Sequence, residues 1–194
     1  FLRASSGVAY SLIRDKAEFV PRGLNQIAQN IARQKSLSVE TRVDASYRQA
    51  ITGYAAFEWV QSIREFGQEG YAAQVIGDEN VAYPDWIARA GISWTMNLHP
   101  RVPLELGAQG ILVGPTPAAD ASIVESGGRY DLPGYLWLNA SLMTPDLFLI
   151  PGHETTIGLR AKNLLDEHGP VPGFSGFEYP LRPREIFLEL EHSY

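Results

Sequence analysis

Cysteine is absent from the 194 residues. That excludes a disulfide framework, an iron–sulfur centre and a Cys-ligated zinc site. Basic residues are in the minority, with 16 Lys and Arg against 22 Asp and Glu and a net charge of −6. No basic stripe is present to neutralise phosphates, so nucleic acid is excluded as a partner. Long apolar runs are missing as well. The best, Leu147-Phe148-Leu149-Ile150, ends at Pro151, far short of the roughly 18 residues a membrane helix requires. Strands are a different matter, because a barrel strand conceals its apolar face in every second residue. Phe1-Leu2-Arg3-Ala4-Ser5-Ser6 has neither the basic segment nor the apolar core of a signal peptide. An exported protein beginning here is expected to be processed or to be a piece of a longer chain. Gly and Pro number 18 and 13, and hydrophobic residues make up 45%. These values fit a folded chain and neither a collagen nor a disordered one.

What the sequence does have is a period of two. From Ser36 to Tyr47, Leu37, Val39, Thr41, Val43, Ala45 and Tyr47 alternate with Ser36, Ser38, Glu40, Arg42, Asp44 and Ser46. A strand separates two such sets onto opposite faces, whereas a helix mixes them. Trp86, Ala88, Ala90, Ile92, Trp94 and Met96 alternate with Ile87, Arg89, Gly91, Ser93, Thr95 and Asn97. Similar alternation follows at Leu104–Leu112, Tyr135–Leu142, Thr156–Lys162 and Glu185–Tyr194, where Phe187 and His192 break the rule. Two more strands are expected near Val8–Val20 and Ile51–Phe66, the second with Phe57 and Trp59 opposite Tyr54 and Glu58. The pattern predicts an all-β chain of about eight strands, each longer than the 5–6 residues common in soluble sheets. Gly23–Arg33 reads either as a short helix, through Leu24, Ile27, Ala28 and Ile31, or as a loop.

The connections are expected to alternate, long then short, starting with a long one at Pro21–Ala32 and then Arg48–Ala50, Gly67–Tyr83, Leu98–Pro103, Pro115–Pro133, Pro145–His153 and Asp166–Leu181. In an up-and-down meander this places all long connections at one end, as in outer-membrane barrels. Period two alone also suits a soluble β-sandwich. Strand length, loop alternation and aromatics near strand ends (Tyr47, Trp86, Trp94, Tyr135, Trp137, Tyr194) favour a transmembrane barrel with aromatic girdles. The apolar rows would then face lipid. The polar rows, with Glu40, Arg42, Asp44, Glu58, Arg89, Glu105, Arg160, Lys162, Glu185 and Glu189, would face a wet lumen. Lipid offers no hydrogen bonds, so such a sheet must close, either as a narrow eight-stranded barrel or as an arc of a larger one.

Several segments resemble the TonB-dependent outer-membrane receptors. Leu132-Pro133-Gly134-Tyr135, within the run Tyr130–Leu142, is similar to that family's leucine–proline–x–tyrosine strand. Asn163-Leu164-Leu165-Asp166, at the end of Thr156–Asp166, resembles its N-L-[LFT]-D segment. Pro172-Gly173-Phe174 and Tyr179-Pro180-Leu181-Arg182-Pro183-Arg184 look like the approach to its last strand. The alternating Ile186, Leu188 and Leu190 and the aromatic end at Tyr194 resemble the signal read by the barrel-assembly machinery. Ser38-Val39-Glu40, within Arg33–Tyr47, is similar to an upstream strand motif, with Ser38 where glycine is usual.

The resemblance implies that residues 1–194 are the C-terminal part of a plugged barrel of roughly 22 strands. It implies residence in the outer membrane of a Gram-negative cell and uptake of a large scarce nutrient, such as a ferric siderophore or cobalamin. The implied partners are lipid, the barrel-assembly machinery, the remaining strands of the receptor, a small-molecule ligand, and the TonB complex acting through a plug domain. No plug-like or TonB-contacting segment is found in these residues.

Enzymatic chemistry finds little support. Asp166-Glu167-His168 reads as a solvated loop before it reads as a metal site. Gly173-Phe174-Ser175-Gly176 lacks the spacing of a nucleophile elbow, and no phosphate loop or dinucleotide fingerprint is present. Glu40 and Asp44 suit a barrel wall better than an acid–base pair, and the sequon Asn139-Ala140-Ser141 falls in mid-strand. The expected role is binding and passage with no enzyme activity, catalytic residue, metal or cofactor. Tyr83, Asp85, Arg129, Phe174 and Phe177 are the candidate ligand contacts in the long connections. Three alternatives stand beside this: a soluble β-sandwich carbohydrate-binding module, a self-contained eight-stranded barrel, and an esterase-like outer-membrane enzyme.

Overall fold

The computed structural model describes residues 1–22, 25–48, 50–64, 84–99, 102–118, 130–147, 154–172 and 178–193, excluding the side chains of 15–34, 63–64, 146 and 172. Eight long strands form one antiparallel sheet: β1 (Leu2–Arg22), β2 (Asn25–Tyr47), β3 (Ile51–Arg64), β4 (Trp86–His99), β5 (Val102–Val113), β8 (Tyr135–Leu147), β9 (Glu154–Lys162) and β12 (Glu185–Ser193). Each pairs only with its neighbours in chain order, so the sheet is an up-and-down meander with β1 and β12 at its two edges. Four short strands belong to the connections: β6 (Thr116–Pro117) pairs with β7 (Asp131–Leu132), and β10 (Pro170–Pro172) pairs with β11 (Glu178–Pro180). The described chain holds no helix long and apolar enough to cross a membrane. The molecule is all-β and has the form of a barrel arc.

The expected strands are present, and most are longer than the alternation suggested. The largest difference is at Gly23–Arg33, expected as helix or loop. Here β2 starts at Asn25 and stays paired with β1 back to Arg22. The described part of the first long connection is therefore a two-stranded ribbon and not an open loop. Its polar residues mask the period of two, and register shifts between Ile13 and Ala17 reset the alternation.

Register decides which side chains share a face, because directly paired residues point the same way. Val8 pairs with Val39, Val39 with Trp59, and Trp59 with Trp86. Further along the sheet, Gly53 pairs with Ile92, Ile92 with Ala108, Ala108 with Ala140, Ala140 with Ala161, and Ala161 with Ile186. The apolar rows of all eight strands thus merge into one continuous surface, and no second layer covers it among the described residues. Ile92 is 55% exposed and Leu188 79%. The apolar side chains buried among the described residues are Val113, Ala118, Leu132 and Leu181, all at the long-connection end. A soluble domain of this size buries about two-thirds of its unfolded surface. A two-sheet sandwich is not what these strands form: they lie in a single layer, and Leu37 and Ile92 face outward from it.

The sheet is open, since β1 and β12 do not pair with each other. The expected girdle divides. Tyr47, Trp86 and Trp94 lie on the apolar face, and Phe57 stacks on Trp86 with ring centroids 6.4 Å apart. Tyr135 and Trp137 pair with Val113 and Ile111, which puts them on the polar face instead. Strand parity outweighs their nearness to a strand end. Tyr194 lies outside the described residues.

Candidate functional site

The face opposite the apolar rows carries the polar ones. Glu40 pairs with Glu58, Ala56 with Arg89, Thr95 with Glu105, Ser141 with Arg160, and Lys162 with Glu185. Arg42, Asp44 and Glu189 occupy the same parity on their strands. All ten residues expected to line a lumen are therefore on one side of the sheet. A trough of about 750 Å³ runs along it, bordered by Asp44, Tyr54, Glu105, Gln109, Asn139 and Lys162 among others. A second, of about 580 Å³, lies between Gly7, Glu40, Arg42, Glu58 and Arg89.

Charges on this face are largely matched within it. Arg42 lies 2.7 Å from Asp44 on its own strand and 4.6 Å above the Tyr54 ring. Arg89 reaches Glu58 at 3.2 Å, and Arg160 reaches Glu189 at 3.1 Å. Neutral groups complete the surface. Ser93 Oγ donates to Glu105 at 2.8 Å, Gln109 Nε2 donates to the Tyr54 hydroxyl at 2.7 Å, and Trp137 Nε1 donates to Asn139 Oδ1 at 2.7 Å. Gly91 sits under Tyr54, and a Cβ there would meet the ring at 2.5 Å. The Tyr54 ring thus lies flat along the strand because its neighbour has no side chain. Tyr54, Gln109 and Asn139 were not picked out by sequence as site residues, although each belongs to a polar alternate row.

The long-connection end is folded. Asn163, fully buried, adopts a left-handed φ of 48°. Its Nδ2 donates to the carbonyls of Glu167 and Arg182, at 2.9 and 2.8 Å, while its Oδ1 accepts from the Glu167 amide at 2.9 Å. Asp166, with φ of 56°, accepts from the Arg184 amide at 2.8 Å. The Asn163–Asp166 segment therefore ties together both ends of the connection between β9 and β12. Asp166 is engaged as a turn residue, and no group of His, Asp and Glu suited to a metal forms among the described residues. The Tyr130 hydroxyl donates to Glu178, joining this connection to the one between β5 and β8. Leu132 is buried beneath, and Gly134 lets the chain enter β8, since a Cβ there would lie 2.6 Å from the Val113 carbonyl oxygen.

Of the candidate ligand contacts, Asp85 is exposed at the long-connection end, and its carbonyl accepts from the Val60 amide at 2.8 Å. Tyr83, Arg129, Phe174 and Phe177 lie outside the described residues. Ile186, Leu188 and Leu190 form the apolar row of β12.

No protein-family profile matches the chain, and no curated protein does. Among solved structures the chain is similar to BauA, the ferric preacinetobactin receptor of Acinetobacter baumannii, with a TM-score of 0.67 at 16% identity. The match covers 97% of this chain and 26% of the receptor, so these residues span about a quarter of that protein's length. The likeness is one of fold: this open eight-stranded meander is built like part of a receptor barrel.

Proposed function

We propose that residues 1–194 are the C-terminal arc of a TonB-dependent outer-membrane receptor. The receptor would take up a large scarce nutrient such as a ferric siderophore or cobalamin. The observation that carries the reading is the continuous apolar face, uncovered across an open sheet. In water, leaving a Leu, Ile or Phe exposed forgoes about 1.5–3 kcal/mol each, and the unpaired edges invite aggregation. In lipid the same face is solvated, provided further strands close the barrel. The fold likeness to a ferric preacinetobactin receptor and the ordered motifs support the narrower assignment.

On this reading the polar face surrounds a plug domain that engages the TonB complex. The folded connections form part of the outer mouth, and the barrel-assembly machinery inserts the chain through β12. The role is binding and passage without covalent chemistry. The test uses cells producing the complete gene product. Expected are recovery in the outer-membrane fraction and a folded form that migrates differently on gels before and after boiling. Deletion of the gene is expected to abolish growth on one ferric siderophore or on cobalamin. A detergent-free, water-soluble monomer would refute the reading.

A further inference from the structure

The apolar face ends in charge at one corner. On β1 its row runs Leu2, Ala4, Ser6, Val8, Tyr10 and Leu12, and Arg14 follows where the register with β2 begins to shift. On β2 the row runs from Tyr47 through Val43, Val39 and Leu37 and then reaches Lys35, which pairs with Leu12. Both cations are exposed. Among the residues whose side chains are described, no other Lys, Arg, Asp or Glu stands on that face. Tyr47 and Leu37 are ten residues apart, which is about 34 Å along the strand and about 26 Å along the membrane normal at a tilt near 40°. The apolar band of an outer-membrane barrel is about 25 Å tall. Lys35 comes two residues later, at the long-connection end, where hydrocarbon gives way to headgroups. Trp59, in the row of Val39, and its partner Trp86 lie deeper on the same face. Beyond this corner β1 and β2 stay paired as far as Arg22 and Asn25, while β3 stops at Arg64 opposite Gln34. From Arg14 to Lys35 the sequence carries five Lys and Arg against two Asp and Glu, in a chain of net charge −6.

Resting on the barrel-arc reading above, we propose that Arg14 and Lys35 form a binding site for a phosphorylated lipid headgroup in the leaflet at the long-connection end. Lys35 lies opposite Leu12, so Arg14 is its diagonal neighbour, and such neighbours stand about 7–8 Å apart. Long basic side chains lay their stems along apolar surface and carry the charge to water, so the two heads can converge on one phosphate. The guanidinium fork takes two phosphate oxygens side by side, and the ammonium acts as a point charge. The acyl chains of the same lipid run down over Tyr10 and Leu37 toward Trp59. A phosphomonoester matches two cations, whereas the phosphate of a zwitterionic headgroup is already offset by its own ammonium group.

The experiment titrates the complete gene product in detergent with lipid A, with lipid A stripped of its phosphates, and with inorganic phosphate. Bound ligand is counted by native mass spectrometry. Removal of the lipid phosphates is expected to weaken binding by about tenfold, the order two such cations supply. Arg14→Gln with Lys35→Gln is expected to match that loss for intact lipid A, and Lys35→Arg to retain binding. Arg3→Gln, on the polar face, is expected to leave it unchanged. Equal binding of the two lipids, or undiminished binding by the double variant, overturns the proposal. Inorganic phosphate binding as tightly as lipid A marks a free-anion site and overturns it too. Where the double variant fails to fold, the unaltered protein decides. Lipid A with a photoreactive group beside its phosphate is expected to label Leu12–Arg14 and Lys35, and labelling confined to other strands overturns the site. The heat-modifiable form, followed in the same samples, separates the two readings. Its absence sinks the barrel arc, whereas folded protein without a preference for phosphate sinks the lipid site alone.

Discussion

At the scale of single residues, the motif positions are structural. Asn163 spends both polar atoms of its side chain on backbone groups that would otherwise be buried without partners. Leaving one such group unsatisfied costs about 1–3 kcal/mol, and alanine also fits the left-handed conformation poorly. Asn163→Ala is expected to lower the temperature at which the folded form is lost on gels, and Asn163→Gly to lower it less. Gly134→Ala forces a Cβ against the Val113 carbonyl and is expected to cost about 1–3 kcal/mol. Gly7, where nothing lies within 4 Å of an added Cβ, is the control, and Gly7→Ala should leave the gel transition unchanged.

At the scale of strands, the proposed reading puts the two faces in different solvents. Ile92→Lys is expected to cost roughly 2–4 kcal/mol if the position lies near the middle of the bilayer. Ser93→Lys, one residue along, meets Glu105 on the wet side and is expected to fold normally. The folded fraction recovered in membranes measures both. Faces were legible in the sequence because register preserves parity. Once Leu37, Trp94 and Leu136 are each assigned a side, hydrogen bonding carries the assignment across the sheet. The β1–β2 ribbon was not legible, because outside the apolar band nothing selects greasy residues at alternate positions, and a bulge reverses the phase. Tyr135 and Trp137 misled for a related reason: an aromatic near a strand end suggests an interface, yet parity turns both inward. The Asn163 clamp was visible only as a motif, since its partners Glu167 and Arg182 are separated by 15 positions, at 4 and 19 residues from Asn163.

At the scale of the molecule, what matters is that one wall is apolar and uncovered among the described residues and the other is polar. The four tryptophans divide accordingly. Trp59, Trp86 and Trp94 lie on the apolar face and Trp137 on the other. In variants retaining a single tryptophan, brominated lipids are expected to quench the first three and to spare Trp137. Equal quenching of all four would show that the sheet does not sit in a bilayer as described. The polar wall, with its charges paired internally at Arg42, Arg89 and Arg160, can touch a partner through neutral groups such as Tyr54, Gln109 and Asn139.

Trp86 and Trp94 also act as a ruler. Trp86 opens β4 and Trp94, eight residues on and on the same side, pairs with Ile51 at the start of β3. At about 3.4 Å per residue and a tilt near 40°, their separation along the membrane normal is about 21 Å. That is shorter than the hydrocarbon of a typical bilayer, so on the barrel reading proposed above the match is to a thin one. Refolding should be more complete in lipids with short acyl chains than in long ones, and inserting two residues between the tryptophans should move that optimum toward longer chains.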